Sequence, residues 1–332
     1  MLYVNTGQSP RRIAEGGMHN VSDLGGAVWI DLLKPTDAER AAAERATQME
    51  VPATADLAEI ESSSRLSTEN GVLYLSTPMT YRGLDGMSSS APLGFVLSPK
   101  HLMTVRFADL PVFDQFADRF NSQGGRPEAS APSSVSAFVG LLEAIVDRLA
   151  DVLEHVGADL DLLSRRVFRP DRRGKQNAAR TDLHLRAILR AVGTAGERLS
   201  NIRDSLLGVN RIVLYATEVA ADWISKDLRP RFKTLRQDIA SLSDYDGQLT
   251  NKVQFLLDAT LGFINIEQSN GIKVLTVVSV VGVPPTLMAS IYGMNFKHMP
   301  ELDWSYGYLY GLCIIVLSGI LPLVWFRRQG WI

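Results

Sequence analysis

The chain has 332 residues, a formal net charge of −2 and one cysteine, Cys313. That balance leaves no basic footprint for nucleic acid, and a lone thiol excludes an intrachain disulfide framework or a multi-cysteine zinc site. The opening MLYVNTGQSPRR has no apolar core, so no cleaved signal peptide is expected.

Residues 1–125 read as a mixed α/β cytosolic domain. AVWIDLL (27–33) is a strand candidate, and Thr36 followed by Glu39 is a capping-box signature for a helix through Thr47. VLYLSTPM (72–79) and LGFVLS (93–98) are β-branched and apolar runs. The turn-like SPKH joins the latter to LMTVRF (102–107), which predicts a hairpin. Ser122–Ser134, rich in Gly, Pro and Ser, reads as a linker.

Residues 126–230 read as a helical bundle. Leu141, Leu142, Ile145, Leu149, Val152, Leu153, Val156, Leu160 and Leu163 recur at three- and four-residue steps, up to the break at Arg169-Pro170-Asp171. A second helical region spans 176–228, with an interruption expected near Gly208. After Pro230 no proline returns until Pro284, so a stalk helix over 231–271 is expected to run directly into the segment 272–292. At 1.5 Å per residue, 231–292 would measure roughly 90 Å, too long for one globular core element.

Nearly all uninterrupted hydrophobicity lies after Gly271. Ile272–Tyr292 carries one charge, Lys273, and Gly307–Phe326 carries none. Each matches the ~20 residues that a membrane helix requires. A pair of buried core helices is the other reading of such runs. Arg327 and Arg328 follow the second run (327–332 forming a tail), so the positive-inside bias places that end, and with it the large N-terminal body, in the cytosol. The loop 293–306 then faces outward. GxGxxG, Walker A, HExxH and CxxC are all missing from the sequence, so neither an enzyme nor a bound cofactor is expected.

Ser269, Thr276, Ser279, Thr286 and Ser290 fall within an arc of roughly 100° on a helix of 3.6 residues per turn. Such a hydroxyl stripe either bonds a neighbouring helix or lines a water-filled pore built from several copies. Pro284-Pro285 is expected to interrupt or kink this helix. Ile272 and Leu275 lie near the stripe at its cytosolic end, where apolar rings can gate by dewetting or serve as ordinary helix contacts.

The first apolar run ends in Tyr292-Gly293-Met294-Asn295-Phe296, followed by Met299-Pro300-Glu301-Leu302. With KVLT (273–276), PPT (284–286), Trp304, Gly307-Tyr308 and the terminal RRQGWI, this pattern resembles the signature of the CorA family of magnesium transporters. The specific likeness covers the last 60 residues. The rest matches through the order of α+β cytosolic domain, long-helix bundle and stalk, and two C-terminal transmembrane helices, a funnel in that family.

The resemblance implies a homopentamer in the inner membrane that admits Mg²⁺, with Co²⁺ and Ni²⁺ as further cargo, driven by the membrane potential. Gly293, Met294 and Asn295 would form the outer selectivity filter. Ser269, Ser279, Val283, Thr286 and Ser290 would line the pore, and Ile272 and Leu275 would form a hydrophobic gate. Mg²⁺ surrenders its water reluctantly, and a ring of neutral asparagine carbonyls can hold the hydrated ion without stripping it. Glu301 and Asp303 in the external loop would gather cations, with Lys297 offsetting part of that field.

The chain departs from the family at several positions. Asparagine is frequent where Ser269 falls, with Asn270 one residue off, and methionine where Ile272 and Val283 fall. Two acidic positions that bind regulatory Mg²⁺ in the family fall at Arg82 and Thr234, leaving Asp85 and Asp238 as nearby substitutes for a metal-gating role. A zinc transporter of the same superfamily is the alternative, which His298 would suit and Met294 disfavours. A two-span sensor or scaffold without transport is the alternative from another class.

Overall fold

The computed structural model describes residues 1–5, 10–13, 25–59, 61, 65–83, 87–123, 133–168, 178–295, 300 and 304–331. Two compact units emerge: Met1–Pro170 with Arg190–Leu256, and Asp171–Leu189 with Leu257–Ile332.

The first unit contains a seven-stranded sheet. Its strands are β1 (Leu2–Asn5), β2 (Pro10–Ile13), β3 (Trp29–Leu33), β4 (Leu66–Glu69), β5 (Val72–Arg82), β6 (Ser88–Leu97) and β7 (Leu102–Arg106), in the order β2-β1-β3-β7-β6-β5-β4. β3 and β7 pair in parallel, and the other neighbours are antiparallel. The SPKH hairpin forms as expected, joining β6 to β7 with Leu97 opposite Leu102.

Alternation along the strands sorts their side chains onto two faces. Leu2, Val4, Ile30, Leu32, Val96, Met103 and Val105 form one core with Ala43 of helix α1 (Asp37–Thr47) and Leu57 of the short α2 (Thr54–Leu57). Gly94 belongs to that face. A side chain there would meet Leu57 Cδ2 at 2.7 Å, so glycine is what lets α2 sit down on β6. Thr36 caps α1 as its spacing predicts: its Oγ1 accepts from the Glu39 N–H at 3.3 Å, and Glu39 Oε2 accepts from the Thr36 N–H at 2.8 Å.

The opposite face carries Trp29, Phe95, Thr104 and Arg106. It packs on aromatic rings from α3 (Pro111–Gln123), α4 (Ser134–Phe168) and α6 (Arg229–Tyr292), with Trp29–Phe116 at 5.3 Å, Phe95–Phe138 at 5.6 Å and Phe138–Phe232 at 6.5 Å. Set into this apolar layer is a buried ion pair. Arg106 reaches Asp31 Oδ2 through Nε at 3.0 Å and Nη2 at 2.9 Å, and Thr104 donates to Asp31 Oδ1 at 2.7 Å. Burial pushes the Asp31 carboxyl above its ordinary value, against the pull of Arg106.

In α4 every residue of the predicted apolar series is buried except the half-buried Val152. Helix α5 (Ala178–Val219) is not interrupted at Gly208. A Cβ at Gly208 would lie 1.9 Å from Thr77 Oγ1, so the glycine marks the close crossing of α5 over β5 rather than a break. Helix α6 is continuous for 64 residues and contributes to both units. Pro230 stands in its first turn, where a missing N–H costs nothing. The second unit ends with α7 (Gly307–Arg328).

Candidate functional site

The apolar part of α6 and all of α7 are long enough to span a bilayer, and their most apolar windows are 0 % and 11 % buried. A core helix of a soluble protein would be covered, so the buried-core reading of these runs fails. The expected break at Pro284-Pro285 does not divide α6, since both prolines lie inside the helix.

The half-buried positions of α6 in this region are Thr276, Val277, Val281, Pro284, Pro285, Met288 and Tyr292. Taking Ser269 as the origin of a 3.6-residue helix, all of them but Thr276, which lies in the stripe at roughly 340°, fall between roughly 60° and 160°. This is the α7 side. A Cβ at Gly319 would meet Pro285 Cγ at 3.2 Å, and one at Gly311 would touch the Tyr292 ring at 3.8 Å. Gly319 also lies beside the Val281 carbonyl, the i−4 oxygen that Pro285 leaves without its helical donor. Small residues on α7 thus admit that helix to the proline turn of α6.

The hydroxyl stripe occupies the other side, between roughly 260° and 360° on the same wheel. Ser269, Ser279, Thr286 and Ser290 are exposed, as is Val283, and Ile272 and Leu275 continue the face with exposures of 65 % and 68 %. Val278, Gly282, Val283, Thr286, Leu287 and Ser290 enclose a shallow groove along it. Within the chain, then, the stripe apart from the half-buried Thr276 is left uncovered.

Its hydrogen bonds have a chemical consequence. Thr276 donates to the Ile272 carbonyl at 2.8 Å, Thr286 to Gly282 at 2.9 Å, and Ser290 to Thr286 at 2.8 Å. Each hydroxyl proton is committed to its own helix, so the oxygen turns lone pairs outward. A column of acceptors suits a cation or the water around one.

Beyond Tyr292 the chain leaves the helix through two last bonds, Gly293 N–H to Ala289 O at 3.0 Å and Met294 N–H to Ile291 O at 3.2 Å. Gly293 is not among the residues with positive φ. Its advantage is closeness, since a Cβ there would press on the Ala289 carbonyl at 3.2 Å. Asn295 is exposed immediately past this turn.

Comparison with known proteins bears directly on this site. Residues 25–328 match the family described as CorA-like Mg²⁺ transporter protein. The chain belongs to that family. It is 30 % identical to the magnesium transport protein CorA of Pectobacterium atrosepticum, over 97 % of both chains. To that of Mannheimia succiniciproducens it is 32 % identical, over 94 % of both. Its fold matches the complete structure of the CorA magnesium transporter from Methanocaldococcus jannaschii at a TM-score of 0.76, covering 100 % of this chain and 99 % of that one, at 18 % identity.

Within this CorA-family chain, the residues expected to act together are distributed unevenly. Gly293, Met294 and Asn295 follow directly on α6, and the five pore candidates and two gate candidates share one face of it. By helical position Ser269 lies at the edge of the stripe and Asn270 about 100° further round. Glu301, Asp303 and Asp85 lie outside the described residues.

Asp238 lies on α6 in the first unit, where burial, helped by repulsion from Glu143, Asp151 and Asp238, raises the carboxyl of Asp147. Among the described residues no group of three or more His, Cys, Asp or Glu side chains could hold a metal ion. Sequence reasoning missed Gly311 and Gly319. Their signal was present as small residues eight apart in an apolar run, but nothing there named the partner helix.

Proposed function

We propose that this chain forms a homo-oligomeric, membrane-potential-driven channel for Mg²⁺ in the inner membrane, with both termini in the cytosol. The observation that carries the reading is the exposed hydroxyl stripe on α6, roughly opposite the face that α7 covers. One helix pair cannot enclose water, so the stripe needs further copies to close a conduit. The family likeness supports five. The α6 helices then stand inside and the α7 helices outside.

In this arrangement an ion arriving with its water shell first meets a ring of Asn295 amides. Their carbonyl oxygens accept hydrogen bonds from bound water, and their neutrality avoids the tight capture that carboxylates would impose. The outward lone pairs of Ser290 and Thr286 receive the hydrated ion next. Ile272 and Leu275 narrow the inner end, where an apolar ring closes the path by expelling water. Moving a divalent charge inward through 100 mV releases about 4.6 kcal/mol, so no nucleotide is required. Arg327 and Arg328 at the end of α7 support the cytosolic assignment of that end. The relatives' magnesium names favour Mg²⁺ over Zn²⁺ as cargo.

Asn295→Ala tests the assignment. In proteoliposomes loaded with a Mg²⁺-sensitive dye it should abolish selective uptake while leaving the oligomer intact by size-exclusion chromatography. Unchanged Mg²⁺ uptake would remove Asn295 from the filter, and no uptake by the wild-type protein would reject the channel.

A further inference from the structure

The two apolar helices meet again at the end that bears Arg327 and Arg328. There α7 closes in a Schellman motif. Gly330 takes φ +72°, its N–H donates to the Arg327 carbonyl at 3.3 Å, and the Trp331 N–H donates to the Phe326 carbonyl at 3.0 Å. The apolar contact that accompanies this motif is present, with the Phe326 and Trp331 rings 5.3 Å apart. Phe326 is 2 % exposed, a fixed seat on a helix whose other large side chains are mostly exposed. The backbone turn therefore decides where Trp331 sits.

Trp331 sits against Lys273. The Lys273 Nζ lies 5.9 Å from the ring centroid, within reach of a cation–π contact. Lys273 is the one charged residue of α6 after Glu267, and among the described residues no carboxylate pairs with it. It follows Ile272 directly and stands about 100° round the helix from it, between the stripe and the α7-facing arc. Its flexible stem can carry the ammonium toward either side. Turned inward, it would place a positive charge from every copy at the apolar constriction, directly in the way of a divalent cation.

We propose that Trp331 is a positioning residue for ion passage: by engaging the Lys273 ammonium it holds that charge against the outer helix and clear of the conduit. This rests on the channel reading above. It assigns the aromatic after the basic pair a task different from simple anchoring at the membrane interface. Anchoring would depend on the size of Trp331 and be indifferent to Lys273. Positioning depends on an aromatic face and disappears when the charge does.

The test is initial Mg²⁺ uptake into proteoliposomes by the full-length protein, with oligomer size checked for each variant. Trp331→Ala and Trp331→Leu should both slow uptake by about two- to fivefold, the factor that a partly exposed cation–π contact commands. Trp331→Phe, which keeps an aromatic face, should recover most of the rate. Gly330→Ala strains the left-handed turn without altering Trp331 and should reproduce the slow phenotype.

The deciding variant is Trp331→Ala combined with Lys273→Gln, which should regain the rate of Lys273→Gln alone. A double variant as slow as Trp331→Ala, or a Trp331→Leu variant as fast as wild type, overturns the proposal. Uptake by the wild type with none of these differences rejects the positioning role alone. No uptake by the wild type rejects the channel, and this role with it.

Discussion

Replacing Gly208 with alanine should weaken the first unit, although the site lies mid-helix where alanine is the better residue. Alanine's propensity advantage is about 1 kcal/mol. Against it stands the crossing of α5 over β5. A Cβ at 208 would lie 1.9 Å from Thr77 Oγ1 and 2.8 Å from Thr77 Cβ, and Thr77 is 0 % exposed. Rotating the threonine moves its Oγ1 but not its Cβ. Restoring an ordinary contact of about 3.4 Å therefore needs about 0.6 Å of backbone separation. That movement pulls on the neighbouring tie, in which the Thr80 N–H donates to Ser205 Oγ at 3.0 Å. Overpacking costs about 1–3 kcal/mol, and a contact that only backbone can relieve belongs near the upper end. The net loss is about 2 kcal/mol, or about 4–8 °C in midpoint for a unit of this size. Fluorescence-monitored thermal unfolding of the full-length protein in detergent, at one scan rate, measures it. Adding Thr77→Ala removes the 1.9 Å contact and should return part of the loss. A midpoint at or above wild type for Gly208→Ala would show that the spacing of α5 and β5 is not limiting.

The buried pair in the sheet makes a second prediction. Asp31→Ala leaves Arg106, 1 % exposed, with the longer contacts to the exposed Asp109 and Asp114 at 3.6 and 3.7 Å, and should cost about 3–5 kcal/mol by the same assay. Asp31→Leu with Arg106→Met should cost clearly less than Asp31→Ala, because it removes both buried charges together and leaves neither unpaired. A third prediction concerns pH. Burial works against the Glu39 charge, but the Thr36 N–H, the N-terminal ammonium and the Thr36 hydroxyl outweigh it and lower the carboxyl from 4.5. A lowered carboxyl stabilises the fold above its unfolded value and loses that contribution as pH falls through the folded one. The difference in midpoint between wild type and Glu39→Gln should therefore shrink on acidification below pH of about 4.5. A difference that stays constant down to pH of about 3 would contradict the assignment.

Features set by local chemistry were legible in the sequence. The Thr36/Glu39 box, the SPKH hairpin and the apolar series of α4 depend on residues close in the chain, and each forms. The hydroxyl stripe was legible for the same reason, since helical periodicity alone places its members. Features set by pairing between distant segments were not. β1, β2 and β4 are four residues each, too short to carry a pattern, and exist because neighbouring strands complete them. Gly208 looked like a helix breaker because its partner Thr77 is 131 positions away. Whether the stripe faced the neighbouring helix was likewise undecidable until Gly311 and Gly319 showed which side of α6 the helix α7 takes.

The account turns on water reaching one face of α6. In a Cys313→Ser background, single cysteines at Ser279, Thr286 and Ser290, and on the α7 side at Val277, Val281 and Met288, can be exposed to a charged, membrane-impermeant thiol reagent in the assembled protein. The first set should react, block Mg²⁺ uptake and be slowed in labelling by Mg²⁺, while the second set stays unlabelled. Labelling confined to the second set, or absent from the stripe in a protein that still conducts, would contradict the account.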